Sequence, residues 1–217
     1  MPTAPAAHLA EAPADCGLCP RLVAFRDQNA SEEPSWFNGA VASFGAADAR
    51  LLIVGLAPGL RGANRTGRPF TGDYAGDLLY ASLLEFGFAR GNYRARPDDG
   101  LTLIDCMITN AVRCVPPENK PTPAEIGTCR RFLCGRMANL PRLAAILALG
   151  RIAHDSTLAA LSVRKADFPF QHGAQHALGT GVVLFDSYHC SRYNTNTGRL
   201  TPEMFRGVLE RIKRHLS

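Results

Sequence analysis

The chain has 217 residues, is 46% hydrophobic and carries a net charge of +5 with a pI near 9.0, enough to bury one sizeable core. No apolar run approaches the roughly 20 residues that a spanning helix needs, so a soluble protein working in the cytoplasm is expected. Residues 1–13 are rich in Ala and Pro but lack both a basic start and a continuous apolar stretch, which argues against a secretory signal and predicts a flexible lead-in to one domain over 14–217.

The first element is a strand, Leu51-Leu52-Ile53-Val54, ending at Gly55 and followed by a Gly- and Pro-rich stretch up to Gly76. A loop longer than about 12–15 residues inside a compact domain is usually functional. Leu78, Leu79, Ser82, Leu83 and Phe86 then recur at helical spacing, and Leu103 to Val112 reads as a strand buried on both faces. Thr122-Pro123-Ala124-Glu125 is a capping box with proline at the first helical position, opening a helix whose inner face carries Ile126, Cys129, Leu133 and Met137. A strand from Ala144 to Leu149, a helix from Ile152 to Leu161 and a strand from Val182 to Phe185 follow. The last helix starts at Thr201-Pro202 and has an apolar stripe of Phe205, Val208, Leu209, Ile212 and Leu216.

Strands alternating with helices predict an α/β fold: a central, mainly parallel four-stranded sheet flanked by helices. Ligands in such folds bind beyond the carboxyl ends of the strands. The segments there are Gly55 to Asp73, Asn110 to Cys114, Gly150, and His189 to Arg199.

Seven cysteines in a chain without a signal argue for a reducing compartment and for metal binding. Cys16-Gly-Leu-Cys19, Cys114 and Cys129 make a four-thiolate set, which by ligand count alone suits zinc or an iron–sulfur cluster equally. Cys134 is rotated about 140° from Cys129 on the same helix, and Cys129 shares the inward face. Cys106, inside an apolar strand, reads as a small buried hydrophobe. The positive charge is almost all arginine, with Lys120, Lys165 and Lys213 as the lysines; arginine suits bidentate phosphate contacts, although charge alone does not establish a nucleic-acid partner.

Two segments carry the chemistry: Gly55-Leu-Ala-Pro-Gly59 with Gly62-Ala-Asn-Arg-Thr-Gly67 and Pro69-Phe-Thr-Gly-Asp73, and His189-Cys-Ser-Arg-Tyr-Asn194-Thr-Asn-Thr-Gly198. They contain no Walker or dinucleotide fingerprint. Together, and in this order from Cys16 to the last helix, they resemble the signature motifs of the family 5 uracil-DNA glycosylases. The resemblance implies a monofunctional DNA repair enzyme that hydrolyses the N-glycosidic bond of uracil, with hypoxanthine and ethenocytosine as further substrates. It implies a [4Fe–4S] cluster on Cys16, Cys19, Cys114 and Cys129, and a monomer acting on double- or single-stranded DNA with no membrane partner.

The same resemblance makes Asp73 the catalytic carboxylate, sets Asn110 and His189 around the base, stacks Phe70 on it, and lines the rest of the site with Gly55, Leu56 and Ala57. Related branches carry a polar residue where this chain has Ala57. A duplex hides its target base, so the nucleotide must be flipped out; Ser191, Arg192, Tyr193 and Asn194 are the candidates for gripping DNA and filling the gap. Cys190 and Tyr193 depart from the family's pattern in this wedge loop. Plainer roles compete with each assignment. Asp73 suits a helix cap near Gly76, Asn110 a buried amide serving the backbone, Phe70 loop packing, and His189 a surface histidine; His154 and His176, outside the motifs, read as surface histidines as well. At the level of function, the rivals are a non-catalytic cluster-bearing DNA-binding protein and a nucleotide-binding redox protein.

Overall fold

The computed structural model describes residues 11–179 and 181–217. The strands are β1 (Phe44–Gly45), β2 (Leu51–Gly55), β3 (Ala89–Arg90), β4 (Thr102–Leu103), β5 (Cys106–Asn110), β6 (Ala145–Leu149), β7 (Gln175–Ala177) and β8 (Val183–Ser187). The helices are α1 (Pro20–Glu32), α2 (Ala63–Thr66), α3 (Tyr74–Glu85), α4 (Pro123–Ala138), α5 (Arg151–Ala160), α6 (Arg192–Asn196) and α7 (Pro202–Leu216).

The main sheet runs β1-β5-β2-β6-β8-β7. Its four central strands are parallel, while β1 and β7 pair antiparallel at the two edges. The expected four strands are thus the centre of a six-stranded sheet. Both edge strands escaped the sequence because β1 spans only two residues and β7, Gln-His-Ala, has no apolar alternation. The strand expected over 103–112 is also divided. Asp105 adopts a left-handed φ of 51°, which separates β4, paired with β3 in a small hairpin, from β5 in the main sheet.

Every residue of β2, β5 and β6 is buried, as a sheet covered on both faces requires. Leu79 and Leu83 of α3 and Phe205, Val208 and Leu209 of α7 pack on one face. Leu133 and Met137 of α4 with Ala153 and Leu158 of α5 pack on the other. The capping box forms as expected: Thr122 Oγ1 accepts from the Glu125 amide at 3.3 Å and Glu125 Oε2 accepts from the Thr122 amide at 2.7 Å. Helix α1 was not anticipated, because its buried stripe, Leu22, Arg26 and Asn29, is two-thirds polar.

Residues 1–10 of the expected lead-in lie outside the described residues. Ala12 is buried in a third apolar cluster with Leu22, Val112, Cys114, Cys129 and Phe132. Glu11 is held by the fully buried Arg113 (Oε2 to Nη1, 2.9 Å), by the Ser43 amide at 2.9 Å and by Arg136. Packed chain therefore begins by residue 11. Burial raises the Glu11 pKa, but Arg113, Ser43 and Arg136 outweigh it and leave the pKa below its ordinary 4.5.

Replacing Glu11 by Ala leaves the buried Arg113 charge short of its carboxylate and should cost about 2–3 kcal/mol of stability, less than a fully buried pair because Glu11 is partly exposed. Since the folded pKa is depressed, this contribution is present above pH 4.5 and lost as pH falls below it. Denaturant unfolding of wild type and variant at neutral pH and at pH 3 should show the difference shrinking on acidification.

Candidate active site

Loops at the carboxyl ends of β2, β5 and β8 enclose a pocket of about 400 Å³. Leu56, Ala57, Phe70, Asp73, Asn110, His189, Ser191 and Arg192 all line it. The register of β2 against β5 sets Gly55 beside Asn110, directly beneath the pocket. A Cβ at residue 55 would collide with Asn110 Oδ1 and, at 2.6 Å, with Phe70 Cζ, so glycine here is what lets ring and amide meet.

Asn110 is 2% exposed, and its Oδ1 has no hydrogen-bond partner. An amide kept for the backbone would be satisfied; a buried unsatisfied oxygen is uncommon and requires a ligand or a cost of about 1–3 kcal/mol. The oxygen is thus an acceptor in want of a donor. Phe70 is buried with a left-handed φ of 54°, a conformation costing about 1–3 kcal/mol that persists only where the surroundings enforce it. Its ring lies 5.8 Å from the imidazole of His189, centroid to centroid.

Asp73 lines the pocket and also takes the helix-cap position. It is the N-cap of α3, with Oδ1 accepting from the Gly76 amide at 3.2 Å. Oδ2 lies against the turn at Gly59 and Gly62, where a Cβ on Gly62 would strike the carboxylate. Burial raises its pKa above the usual carboxylate value, with the Gly76 and Ala75 amides opposing and Asp77 adding to the shift.

His189 is half-buried rather than a free surface side chain, and desolvation lowers its pKa to about 4. The ring is therefore neutral at pH 7 and presents one N–H donor and one lone pair. The wedge segment is ordered as α6, capped by Ser191 Oγ, which accepts from the Asn194 amide at 3.4 Å. Asn194 Nδ2 donates to the His189 carbonyl at 2.8 Å, which turns Asn194 away from the pocket to brace the histidine. The Arg192 guanidinium lies over the Tyr74 ring at 5.2 Å, and Tyr193 is 71% exposed. Asn119 and Tyr74 also line the pocket. Asn119 has a left-handed φ of 57° in the loop after β5; the strand-end rule pointed to that loop but not to the residue.

The reading of His154 as a surface histidine is overturned. It is 1% exposed, with Nδ1 2.7 Å from Asp186 Oδ1 and Nε2 2.9 Å from the Phe168 carbonyl. His176 Nε2 reaches the other oxygen of Asp186 at 3.1 Å. This network anchors β8 just before His189.

On the flank of the sheet, Cys16, Cys19, Cys114 and Cys129 line one apolar pocket with Ala12, Leu22, Val112 and Phe132. Arg26 Nη1 donates to Cys114 Sγ at 3.3 Å, and the Arg113 amide donates to Cys129 Sγ at 3.3 Å. Burial raises the thiol pKa of Cys19 and pushes those of Cys114 to about 12 and Cys129 to about 11, so thiolates at these three positions call for a bound cation. Cys134 faces elsewhere, toward the Ala160 carbonyl at 3.5 Å, and Cys106 is wholly buried in β5. Among the described residues, the group of metal-type donor atoms within 4.8 Å of one another is His154, His176 and Asp186. No three of the cysteine sulfurs among the described residues lie within 4.8 Å of one another in this way, whereas bonds to one tetrahedral zinc would set them about 3.8 Å apart.

Residues 42–213 match the model of the uracil DNA glycosylase superfamily. The chain is 48% identical over 205 residues to a type-5 uracil-DNA glycosylase of Thermus thermophilus, covering 92% of this chain and 93% of that one. It is 41% identical over 208 residues to a type-5 uracil-DNA glycosylase of Mycobacterium bovis, covering 92% and 77%. A type-5 uracil-DNA glycosylase of Pyrobaculum aerophilum is 39% identical over 202 residues, with 91% and 87% covered.

The state of His189 is measurable directly. Its folded pKa lies below the ordinary 6.5, so between about pH 4 and 6.5 the unfolded chain binds more protons, and the stability contributed by neutral His189 falls as pH drops through that window. An NMR titration of the imidazole resonances should show one histidine, absent from a His189→Gln variant, that stays neutral down to about pH 4. A midpoint near 6.5 for that resonance would place the ring in water.

Proposed function

The chain belongs to the uracil DNA glycosylase superfamily, in its type-5 branch, and on that basis we propose how its pocket excises a base. The protein is a DNA repair glycosylase, a hydrolase that removes uracil from DNA. The rival readings, a non-catalytic binding protein and a nucleotide-binding redox protein, are set aside by that membership. The observation that carries the site assignment is the buried, unpartnered Oδ1 of Asn110 facing the pocket.

In the proposed complex, the flipped uracil stacks on Phe70. Asn110 Oδ1 accepts from the imide N–H of the base while its Nδ2 donates to a carbonyl oxygen. The C1′–N1 bond breaks with its electron pair leaving on the base, so positive charge develops on the sugar and negative charge on the base. Neutral His189 donates its N–H to the base oxygen, the same logic by which a neutral imidazole polarises a carbonyl elsewhere. Asp73 Oδ2 faces the sugar, where its charge stabilises the cation and its lone pair orients the incoming water and takes up its proton. The water oxygen bonds to C1′ and an abasic site remains. Ala57 offers no polar group to share this task, which leaves it to Asp73. A pocket of about 400 Å³ is roomier than a pyrimidine needs, which supports hypoxanthine and ethenocytosine as further substrates.

Ser191 and Arg192 at the pocket rim, with exposed Tyr193, form the DNA-gripping edge, while Asn194 acts through His189. Leu56, Ala57 and Gly55 form the floor. All these groups come from residues 14–217 of one chain, which supports a single catalytic domain acting as a monomer. No helix among the described residues is long and apolar enough to cross a membrane, in keeping with work on cytoplasmic DNA.

The wide spacing of four thiols and the two donors already aimed at sulfur fit a [4Fe–4S] cluster on Cys16, Cys19, Cys114 and Cys129 better than zinc. Bound there, the cluster would supply a tie between the N-terminal segment, the loop after β5 and α4. No step of the hydrolysis runs through it. Anaerobically purified protein should contain iron and sulfide. Cys114→Ser should lose them and Cys134→Ser should keep them. Stoichiometric zinc without iron would overturn the assignment.

Asp73→Asn keeps the helix cap, for which asparagine serves as well, but removes the charge. Single-turnover excision of uracil from a G·U duplex should fall about 10²–10⁴-fold with normal DNA affinity and melting temperature. A rate within about threefold of wild type, far inside that expected loss, would remove Asp73 from the mechanism.

A further inference from the structure

The segment from Gly67 to Asp73 delivers both Phe70 and the carboxylate on a backbone that turns left-handed three times, at Gly67 (φ 73°), Phe70 (54°) and Gly72 (88°); the glycines adopt this freely, whereas Phe70 must be held there. Three successive carbonyls in it each accept a hydrogen bond from a side-chain hydroxyl. Tyr80 Oη donates to Pro69 at 2.6 Å, Tyr93 Oη to Phe70 at 3.2 Å and Thr66 Oγ1 to Thr71 at 3.0 Å. The Gly72 amide points back at Tyr93 Oη at 3.5 Å. Tyr93 therefore touches the backbone on both sides of Thr71, and Gly72 immediately precedes Asp73.

Tyr93 does not line the pocket. It belongs to the loop joining β3 to β4, a hairpin outside the main sheet. That loop is fixed in turn from beneath. Arg68 makes a bidentate ion pair with Asp99, both bonds 2.8 Å and both side chains buried. Its guanidinium lies over the rings of Tyr80 and Tyr93, which stack 4.6 Å apart. Burial raises the pKa of Tyr93 to about 12, so its hydroxyl keeps its proton and stays a donor throughout the physiological range.

We propose that Tyr93 is a positioning residue for excision: the β3–β4 hairpin splints the Phe70–Asp73 segment from outside, and the Tyr93 hydroxyl holds the Asp73 carboxylate in register with the sugar. The proposal rests on the role given above to Asp73. It also gives the hairpin, which contributes nothing to the pocket wall, a reason to pack where it does.

Tyr93→Phe removes the hydroxyl and keeps the ring stack and the contact with Arg68. Misplacing a catalytic group by about 1 Å costs up to about 10²-fold in rate, so single-turnover uracil excision should fall about tenfold. Affinity for a duplex bearing a non-cleavable uridine analogue and the melting temperature should stay near wild type. Thr102→Val, which breaks the exposed bond from Arg90 within the same hairpin, should leave the rate unchanged and so controls for general loosening. Combined with Asp73→Asn, Tyr93→Phe should lose much less than it does alone, because the group it aims is already disabled.

A Tyr93→Phe rate within about twofold of wild type, well inside that positioning loss, overturns the inference whatever Asp73 does. Losses that multiply fully in the double variant overturn it as well, because the two residues would then act independently. A fully active Asp73→Asn enzyme would be a failure of the Asp73 assignment instead, seen in that single variant without reference to Tyr93.

Discussion

The site depends on the close approach of Phe70 and Asn110 above a residue with no side chain. Parallel pairing aligns the ends of β2 and β5 so that Gly55 faces Asn110, and the space a Cβ would fill is taken by an amide oxygen and an aromatic ring. Close-packed interiors have no slack to absorb even one added carbon. The ring reaches the strand end from a left-handed backbone at Phe70. The braces from Tyr80, Tyr93, Thr66 and Arg68 follow from the need to hold it.

Electrostatically, the pocket keeps two opposite requirements apart. Asp73 sits at a helix N-terminus with amides on one oxygen, which steadies its charge, while burial keeps it basic. His189 has no carboxylate beside it, and burial keeps it neutral. His154 sits in a different setting: its two ring nitrogens face the Asp186 carboxylate and the Phe168 carbonyl.

The loop after β5 joins the pocket to the cysteine cage. Asn110 faces the pocket, the amides of Ala111 and Val112 extend the ladder to Gly55 and Leu56, and the Arg113 amide with Cys114 faces the cage. Arg113 also reaches Glu11 and Ser43. One short bend of chain, Ala111 to Cys114, thus joins the amide proposed to hold the base to the cysteine pocket.

The sequence by itself determined the parallel core, the capping box of α4, the terminal amphipathic helix and the segments that gather at the strand ends. Each of these is a local or periodic signal: apolar runs, Thr-Pro-x-Glu spacing, a 3.6-residue stripe, glycine density. The type-5 motifs added Asp73, Asn110, Phe70 and His189 as candidates because their order along the chain is distinctive. Tertiary structure decided the rest. The polar stripe of α1, the two-residue β1 and the break at Asp105 carry no periodic signature, since they are held by long-range pairing. Asn119 and Tyr93 reach the site only because distant loops fold onto it. The states of His189 and Glu11 depend on which charges and how much water surround each group, and a sequence holds the groups without the distances between them.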